Sequence, residues 1–497
     1  MFESAEIGHK VDKASYEKQL PALREALLDA QYDLVSTRAF PVVILVGGVD
    51  GAGRSETVGL LNQWLDPRHI ETHGMGEPSD EERDRPPMWR FWRALPPKGK
   101  TAVFQGSWYS LPLLDRVYGR IKNAALDRAI ARNVRFERML ADEGALILKF
   151  WFHLSKDRQE KRLKTLQKDP HTRWRVTERD WEHFAHYDQF FQTSSKMLRI
   201  SSTAQAPWYI IEGEDERFRS LTFGRILLDN LRQRLDQRDT PTHALPAPRL
   251  SAAVDNLHLL KALNLNATLD KPRYQSQLEE LQGRLNLLTR HRRFGDISVV
   301  CVFEGNDAAG KGGSIRRITS ALDARRYQVI PIAAPTEEEK AQPYMWRFWR
   351  HLPRRGHLAL FDRSWYGRVL VERVEGYCAE YDWMRAYSEI NDFETQLAEH
   401  NIVLVKFWLA ISQEEQLKRF QERENTGFKR YKITPEDWRN RDKWTEYEQA
   451  VCDMVDRTST EISPWTLIPA NDKNHARIKI LQTLCERIEA GLKASKG

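Results

Sequence analysis

Two glycine-rich segments of this chain have the residue types that hold phosphate, and one of them also has the set that moves it. Gly305-Asn306-Asp307-Ala308-Ala309-Gly310-Lys311-Gly312 follows an apolar run, Val299 to Phe303, and precedes a stretch of helical character. Its glycines let backbone N–H groups turn inward around phosphate oxygens, the following helix offers its positive end, and Lys311 brings a mobile ammonium to the transferring group. Gly305, Asn306, Gly310 and Gly312 are therefore candidate phosphate- or nucleotide-binding positions, and Lys311 is a candidate catalytic residue. A serine or threonine ordinarily follows the lysine and holds magnesium. Gly312 stands there instead, so metal ligands must come from elsewhere.

Asp307, inside the loop, and Asp362, ending the apolar run before Arg363-Ser364-Trp365-Tyr366, are the candidate metal carboxylates. A hard divalent ion bridging phosphates takes oxygen ligands at the carboxyl ends of neighbouring strands. Taken singly, Asp307 could cap a turn and Asp362 could be an ion-pair partner. Their company with Lys311 favours chemistry. Arg363 and Arg368 add charge for donor phosphates, and Glu372 is a candidate orienting carboxylate, although part of this cluster also reads as a salt-bridged helix face. From Lys418 to Asp442 the chain is strongly charged and reads as a mobile helical hairpin, with Arg423, Lys429, Arg430 and Lys432 as basic residues able to close on a polyanion. A solvated charged face fits those four residues equally well.

The second glycine segment, Gly47-Gly48-Val49-Asp50-Gly51-Ala52-Gly53-Arg54, lies 257 positions earlier (Gly305 against Gly48), and the same offset recurs from the glycine loop onward, becoming 258 upstream of it, where Tyr16 and Leu20 match Tyr274 and Leu278. Met88-Trp89-Arg90-Phe91-Trp92-Arg93 repeats as Met345-Trp346-Arg347-Phe348-Trp349-Arg350, Ser107-Trp108-Tyr109 as Ser364-Trp365-Tyr366, and Lys149-Phe150-Trp151 as Lys406-Phe407-Trp408. The period is that of a domain duplication. The tryptophans of the repeated aromatic-basic segment are assigned to packing because they persist in both copies, with Arg347 and Arg350 as weaker anion-site candidates. Asp50 keeps the place of Asp307, and Asp115 that of Glu372. Lys311, Asp362, Arg363 and Arg368 become Arg54, Gln105, Gly106 and Leu111. A planar guanidinium does not reproduce a compact lysine head, and a neutral amide is a poor magnesium partner. The first copy is thus expected to be inactive or much weaker, with a boundary near the proline-rich stretch Asp239 to Pro248: residues 1–245 and 246–497.

Apolar runs of strand length alternate with helical patterns, which predicts an α/β fold with a parallel sheet in each half. In the second half the expected strands are Ser298 to Glu304, Gln328 to Ile332, Leu358 to Asp362, Ile402 to Leu409 and Trp465 to Pro469. The 497 residues, 41% hydrophobic and 30% charged, suit a soluble globular protein. A formal charge of +7 and a pI near 9.0 favour anionic partners without choosing among them. The opening residues show no secretory pattern, no apolar run suits a membrane span, and the four cysteines have no paired spacing, so a cytoplasmic protein with free thiols is expected.

With these residues in place, the glycine-lysine loop, Asp362-Arg363-Ser364-Trp365-Tyr366-Gly367-Arg368 and the charged hairpin together resemble the polyphosphate kinase 2 family, in its two-domain branch. The resemblance covers both halves. It implies two tandem P-loop kinase domains related to thymidylate kinase, dependence on Mg²⁺, and transfer of a phosphoryl group from inorganic polyphosphate to AMP, giving ADP. It also implies that Asp307, Lys311, Asp362 and Arg363 form the catalytic core. Two other readings are an ATP-dependent nucleoside or nucleotide kinase of the same fold and a basic nucleic-acid-binding P-loop protein; the full catalytic set in one half argues against the latter. No nucleic-acid or membrane partner is expected, and a homo-oligomer is open.

Overall fold

The computed structural model describes residues 2–237, 259–427, 431 and 433–495. The predicted linker therefore lies outside the described residues, as do Lys429, Arg430 and Lys432. Two compact units divide the chain: Met1–Pro78, Arg90–Thr242 and Pro335–Arg347 form unit 1, and Ser79–Trp89, His243–Ala334 and Phe348–Gly497 form unit 2. The expected boundary near residue 245 also lies outside the described residues, and each sheet is drawn from one half of the chain.

Each unit is built on a five-stranded parallel sheet. Unit 1 has β1 (Val42–Gly48), β2 (Ile70–Gly74), β3 (Thr101–Gln105), β4 (Leu146–His153) and β5 (Trp208–Glu212) in the order β2-β3-β1-β4-β5. Unit 2 has β6 (Ser298–Gly305), β7 (Tyr327–Pro331), β8 (Leu358–Asp362), β9 (Ile402–Ala410) and β10 (Trp465–Pro469) in the matching order β10-β9-β6-β8-β7. All five predicted strands of unit 2 are present, two with the expected ends and the others displaced by a residue. The first strand of each unit is central and apolar on both faces, Val42 to Val46 and Val299 to Phe303 being fully buried. An unbroken apolar run is what a parallel sheet covered by helices on both sides requires.

Helix ends follow local chemistry. Asp12, Asp270 and Asp472 accept backbone N–H groups at the starts of the helices Lys13–Thr37, Lys271–Arg290 and Lys473–Ala494, satisfying donors that the first turn leaves orphaned. Helices Lys271–Arg290 and Lys473–Ala494 cover one face of the unit 2 sheet, with Arg284 donating to both oxygens of Glu489 at 2.8 Å. The strand order places β6 between β9 and β8, so the chain leaves β6 toward one side of the sheet and later returns on the other. Ligands in such sheets sit in the crevice beyond the carboxyl ends at that switch. In unit 2 those ends carry the glycine loop after β6 and Asp362 on β8. Cys301, Cys452 and Cys485 are buried, Cys378 is half-buried, and none is in a disulfide. No helix among the described residues is long and apolar enough to cross a membrane.

Candidate functional site

The loop in unit 2 owes its shape to two glycines. Gly310 caps the helix Lys311–Thr319 at φ +112°, and Gly305 has φ +148° with no room for a side chain, since a Cβ would lie 2.4 Å from the Leu409 carbonyl oxygen. Gly48 occupies the same conformation in unit 1, where a Cβ would lie 2.1 Å from the Phe152 carbonyl oxygen. Gly305→Ala is expected to cost about 3 kcal/mol by combining left-handed strain with a backbone clash, read as a shift in the denaturant midpoint of unit 2.

Asp307, Lys311 and Arg363 are brought together at the end of β6. Arg363 Nη2 donates to Asp307 Oδ1 at 3.2 Å, and Lys311 Nζ donates to the carbonyl oxygens of Gly305 at 2.7 Å and Asn306 at 3.3 Å. Asp362 ends β8 beside them, paired in register with Phe303, and its Oδ2 is 3.8 Å from where a Cβ on Gly312 would stand. Asn306 has a building role: its Oδ1 accepts from the Ile411 N–H at 3.1 Å. Arg368 and Glu372 pair at 3.2 Å, which matches the salt-bridged alternative for that part of the cluster. The hairpin begins earlier than expected, with the helix Gln413–Glu424, which carries Arg423 in its last turn, followed by the helix Pro435–Asp442. Arg347 pairs with Glu339 and is buried, while Trp89, Trp92 and Trp349 are core residues.

Arg363 carries a conformation that L residues rarely adopt, φ +65°, and its twin Gly106 has φ +84°. Ala308 at φ +64° has the twin Gly51 at φ +79°. The left-handed turns belong to the fold, but only unit 2 places side chains on them, which is the kind of strain that clusters at functional sites. Burial opposes the charge on Arg363, but Asp307, Glu304, Glu436 and Asp362 outweigh it and hold its pKa above the ordinary value.

Residue types alone did not reveal several neighbours. Asn440, from the hairpin helix, donates to Asp307 Oδ2 at 2.9 Å, and Tyr447 Oη donates to Asn440 Oδ1 at 3.1 Å. Arg419, 3% exposed, donates to the carbonyls of Ala308, Ala309, Ala470 and Asn471 and clamps the loop from behind. Glu304 is buried beneath the loop and accepts from Ser364 Oγ at 2.8 Å. The twin of Asn440 is His183, and it too reaches the loop aspartate, with Nδ1 2.7 Å from Asp50 Oδ2. Asparagine stands opposite histidine across the repeat, so residue type did not mark the position.

Unit 1 has filled its own anion site. Arg54 pairs with the loop aspartate Asp50, whereas Lys311 donates to loop carbonyls. Glu56, in the first turn of the helix Arg54–Trp64, accepts from Arg175 at 2.9 Å and Arg219 at 2.8 Å. The corresponding residue in unit 2 is Gly313. Burial opposes the charge on Asp50, yet His183 and Arg54 hold its pKa below the ordinary value. A carboxylate at a helix N-terminus, ringed by guanidiniums, takes the position an anionic ligand would use. Gln105 donates to Ser55 Oγ at 2.6 Å, and Asp115 pairs with Arg120.

Comparison with known proteins adds the family. The polyphosphate kinase 2 family profile matches residues 10–239 and 268–496. A polyphosphate:AMP phosphotransferase of Pseudomonas aeruginosa is 58% identical over 496 residues, covering 100% of both chains, and one of Acinetobacter johnsonii is 38% identical over 473 residues, covering 93% of this chain and 95% of its own. A crystal structure described as polyphosphate kinase 2 from Pseudomonas aeruginosa PA01 superposes with a TM-score of 0.89 at 56% identity, over 99% of each chain. With a duplicated parallel sheet, a glycine-rich loop after the central strand of each, a lysine following it in unit 2, and a family match across both halves, this chain belongs to the polyphosphate kinase 2 family.

Proposed function

We propose that the chain transfers a phosphoryl group from inorganic polyphosphate to AMP, giving ADP, and that unit 2 performs the transfer. The observation that carries this reading is the grouping of Lys311, Asp307 and Arg363 at the end of β6 beside Asp362 on β8, with each of Lys311, Asp362 and Arg363 replaced in unit 1. The two full-length relatives described above carry that activity in their names.

Phosphoryl transfer asks for alignment and for compensation of charge spread over the moving group. The backbone of Gly305 to Lys311 and the start of the helix Lys311–Thr319 supply fixed N–H donors. In this reading Lys311 leaves the carbonyls of Gly305 and Asn306 for the donor phosphate, a short rotation of a flexible stem. Arg363 adds a second cation. The acceptor phosphate of AMP needs no obligatory base, because its second pKa is about 6 and it is largely ionised at neutral pH. Asp307, held by Arg363 and Asn440, then serves as organiser of metal and acceptor.

Among the described residues, no group of three or more His, Cys, Asp or Glu is placed to hold a metal unaided. Mg²⁺ ordinarily keeps several waters and takes one or two carboxylates plus substrate phosphates. Asp307 and Asp362, on neighbouring strand ends, fit that demand and would hold it. Bound there, Mg²⁺ supplies charge neutralisation to the donor oxygens. Excess chelator is expected to take turnover to background, with Mg²⁺ restoring it, measured as ADP formed per minute.

The experiment that tests the reading supplies AMP, long-chain polyphosphate and Mg²⁺ with ATP omitted. ADP formation supports it. Turnover that appears only with ATP as donor assigns the chain to ordinary nucleotide kinases, and no turnover with either donor rejects AMP as acceptor.

A further inference from the structure

Glu375 ends the short helix Val371–Glu375, which follows the segment that carries Asp362 and Arg363, and its side chain is 4% exposed. Two cations of the charged hairpin converge on it. Arg439 Nε lies 2.9 Å from Oε2 and Lys443 Nζ donates to the same oxygen at 3.0 Å, while Oε1 is buried without a hydrogen-bond partner among the described residues. A buried carboxylate is tolerated only with such partners. The side chains of Arg439 and Lys443 are 42% and 37% exposed, so the carboxylate is the fixed member and the cations come to it. Arg439 precedes Asn440 on the helix Pro435–Asp442, and Lys443 follows that helix directly. The hairpin is therefore held on both sides of the residue that reaches the loop: Asn440 donates to Asp307 Oδ2 at 2.9 Å, its amide oriented by Tyr447 Oη at 3.1 Å.

Unit 1 makes the matching contact with other residue types. The twins of Glu375, Arg439 and Lys443 are Tyr118, Glu182 and His186, so all three members of the ion-pair cluster differ. The Tyr118 ring stands edge-on to the His186 ring at 5.2 Å and lies 6.3 Å from that of His183, on the helix Glu178–Ala185. His183 in turn reaches Asp50. Both copies thus join this position to the hairpin beside the residue that touches the loop aspartate, one through rings and the other through charge. What the two copies share is the seating of the hairpin, which separates that role from any one side chain.

We propose that Glu375 is a positioning residue for phosphoryl transfer: by holding Arg439 and Lys443 it seats the helix Pro435–Asp442 on the loop, so that Asn440 fixes the Asp307 carboxylate. It acts through Asn440 and touches no reacting group. This inference rests on the proposed function of unit 2. Without an acceptor at position 375, Arg439 and Lys443 turn to water and the hairpin loses its hold beside the loop. Asp307 then keeps Arg363 on one oxygen but loses the amide on the other.

The test is a double-mutant cycle in the full-length protein, read as kcat for ADP formation per folded molecule, with Glu375→Met, Asn440→Ala and the two combined. Asn440→Ala is expected to lower kcat about tenfold, the lower end for partners that orient a ligating group. Glu375→Met should lower it about threefold or more, and the double variant should match Asn440→Ala within about twofold, because a residue that acts through Asn440 has nothing further to lose once that amide is gone. Glu375→Gln, which keeps an oxygen for the two cations, should retain more of kcat than Glu375→Met. Hydrogen exchange supplies a readout free of turnover: the amides of Pro435–Asp442 should exchange faster in Glu375→Met, with those of β6 as in wild type. A wild-type kcat in Glu375→Met would overturn the inference. So would losses that multiply in the double variant, which make the two residues independent, or exchange that quickens across β6 as well, which reduces the role to general stability. Wild type making no ADP would instead overturn the proposed function and leave the exchange result to judge the seating by itself.

Discussion

Lys311→Ala is expected to lower ADP formation by about 10³-fold while the protein stays folded. The side chain is half-buried, and in the unliganded loop its ammonium is satisfied by two backbone carbonyls. Truncation leaves these carbonyls to water or to loop N–H groups and opens no large cavity, so stability should change by less than about 1 kcal/mol. What is lost is a mobile cation at the group on which charge develops, and single donors or cations in such positions supply about 10²–10³-fold each. The effect should fall mainly on kcat, because the polyanion keeps its contacts with other basic residues. Arg54→Ala in unit 1 provides the matched control. Arg54 is paired with Asp50, so its loss should leave kcat within about twofold of wild type. If both variants lost activity alike, the assignment of the chemistry to unit 2 would fail.

Lys406→Met is expected to destabilise unit 2 by about 3–5 kcal/mol, the cost of breaking a buried ion pair from one side. Lys406 is fully buried in β9, 2.7 Å from Glu394 Oε2, 2.9 Å from Tyr366 Oη and 2.8 Å from the Thr458 carbonyl. Glu394 also accepts from Trp365 Nε1 at 3.1 Å, Tyr366 Oη at 2.5 Å and Ser463 Oγ at 2.8 Å. Burial lowers the pKa of Lys406 and raises that of Tyr366 well above its ordinary value, so the network is held against the desolvation of all its members. Without the ammonium, the carboxylate is left in an apolar setting with neutral donors only. Chemical unfolding should show the unit 2 transition moving to lower denaturant. The double variant Lys406→Met with Glu394→Gln should recover much of the loss, because a neutral amide still accepts from Trp365 and removes the uncompensated charge. A single variant as stable as wild type would mean the pair is no better than a well-packed apolar core. Because Trp365 and Tyr366 follow Asp362, Arg363 and Ser364 directly, the same variant should also lower turnover in the fraction that remains folded.

The matching network in unit 1, Lys149 with Glu137 at 2.7 Å and Trp108 Nε1 with Glu137 at 3.0 Å, explains why Lys-Phe-Trp and Ser-Trp-Tyr persist across the duplication. They hold the fold. Lys311, Asp362 and Arg363 differ between the copies, and none of them belongs to this network. The repeat therefore separates motifs that both copies keep from residues that differ between them, except where the two meet in one contact. Ser364 makes one: it is kept as Ser107, but its partner Glu304 is not kept.

The sequence by itself determined the duplication, the parallel α/β architecture, the five strands of unit 2 to within a residue and the glycine loop with the helix that opens at Lys311, because these rest on local signals: apolar runs, glycines and a fixed offset. It also carried Asp307, Lys311, Asp362 and Arg363, since each lies in a motif of distinctive residue types. Only the tertiary structure decided that Arg363 sits in a left-handed turn against Asp307, that Asn440 and Arg419 reach the loop from more than a hundred residues away, and that Glu56 with its arginines fills the anion position of unit 1. A carboxylate in a charged stretch reads the same whether it faces water, a metal or a guanidinium. What distinguishes those fates is which distant elements the sheet order brings to one strand end, and that is a property of the folded chain.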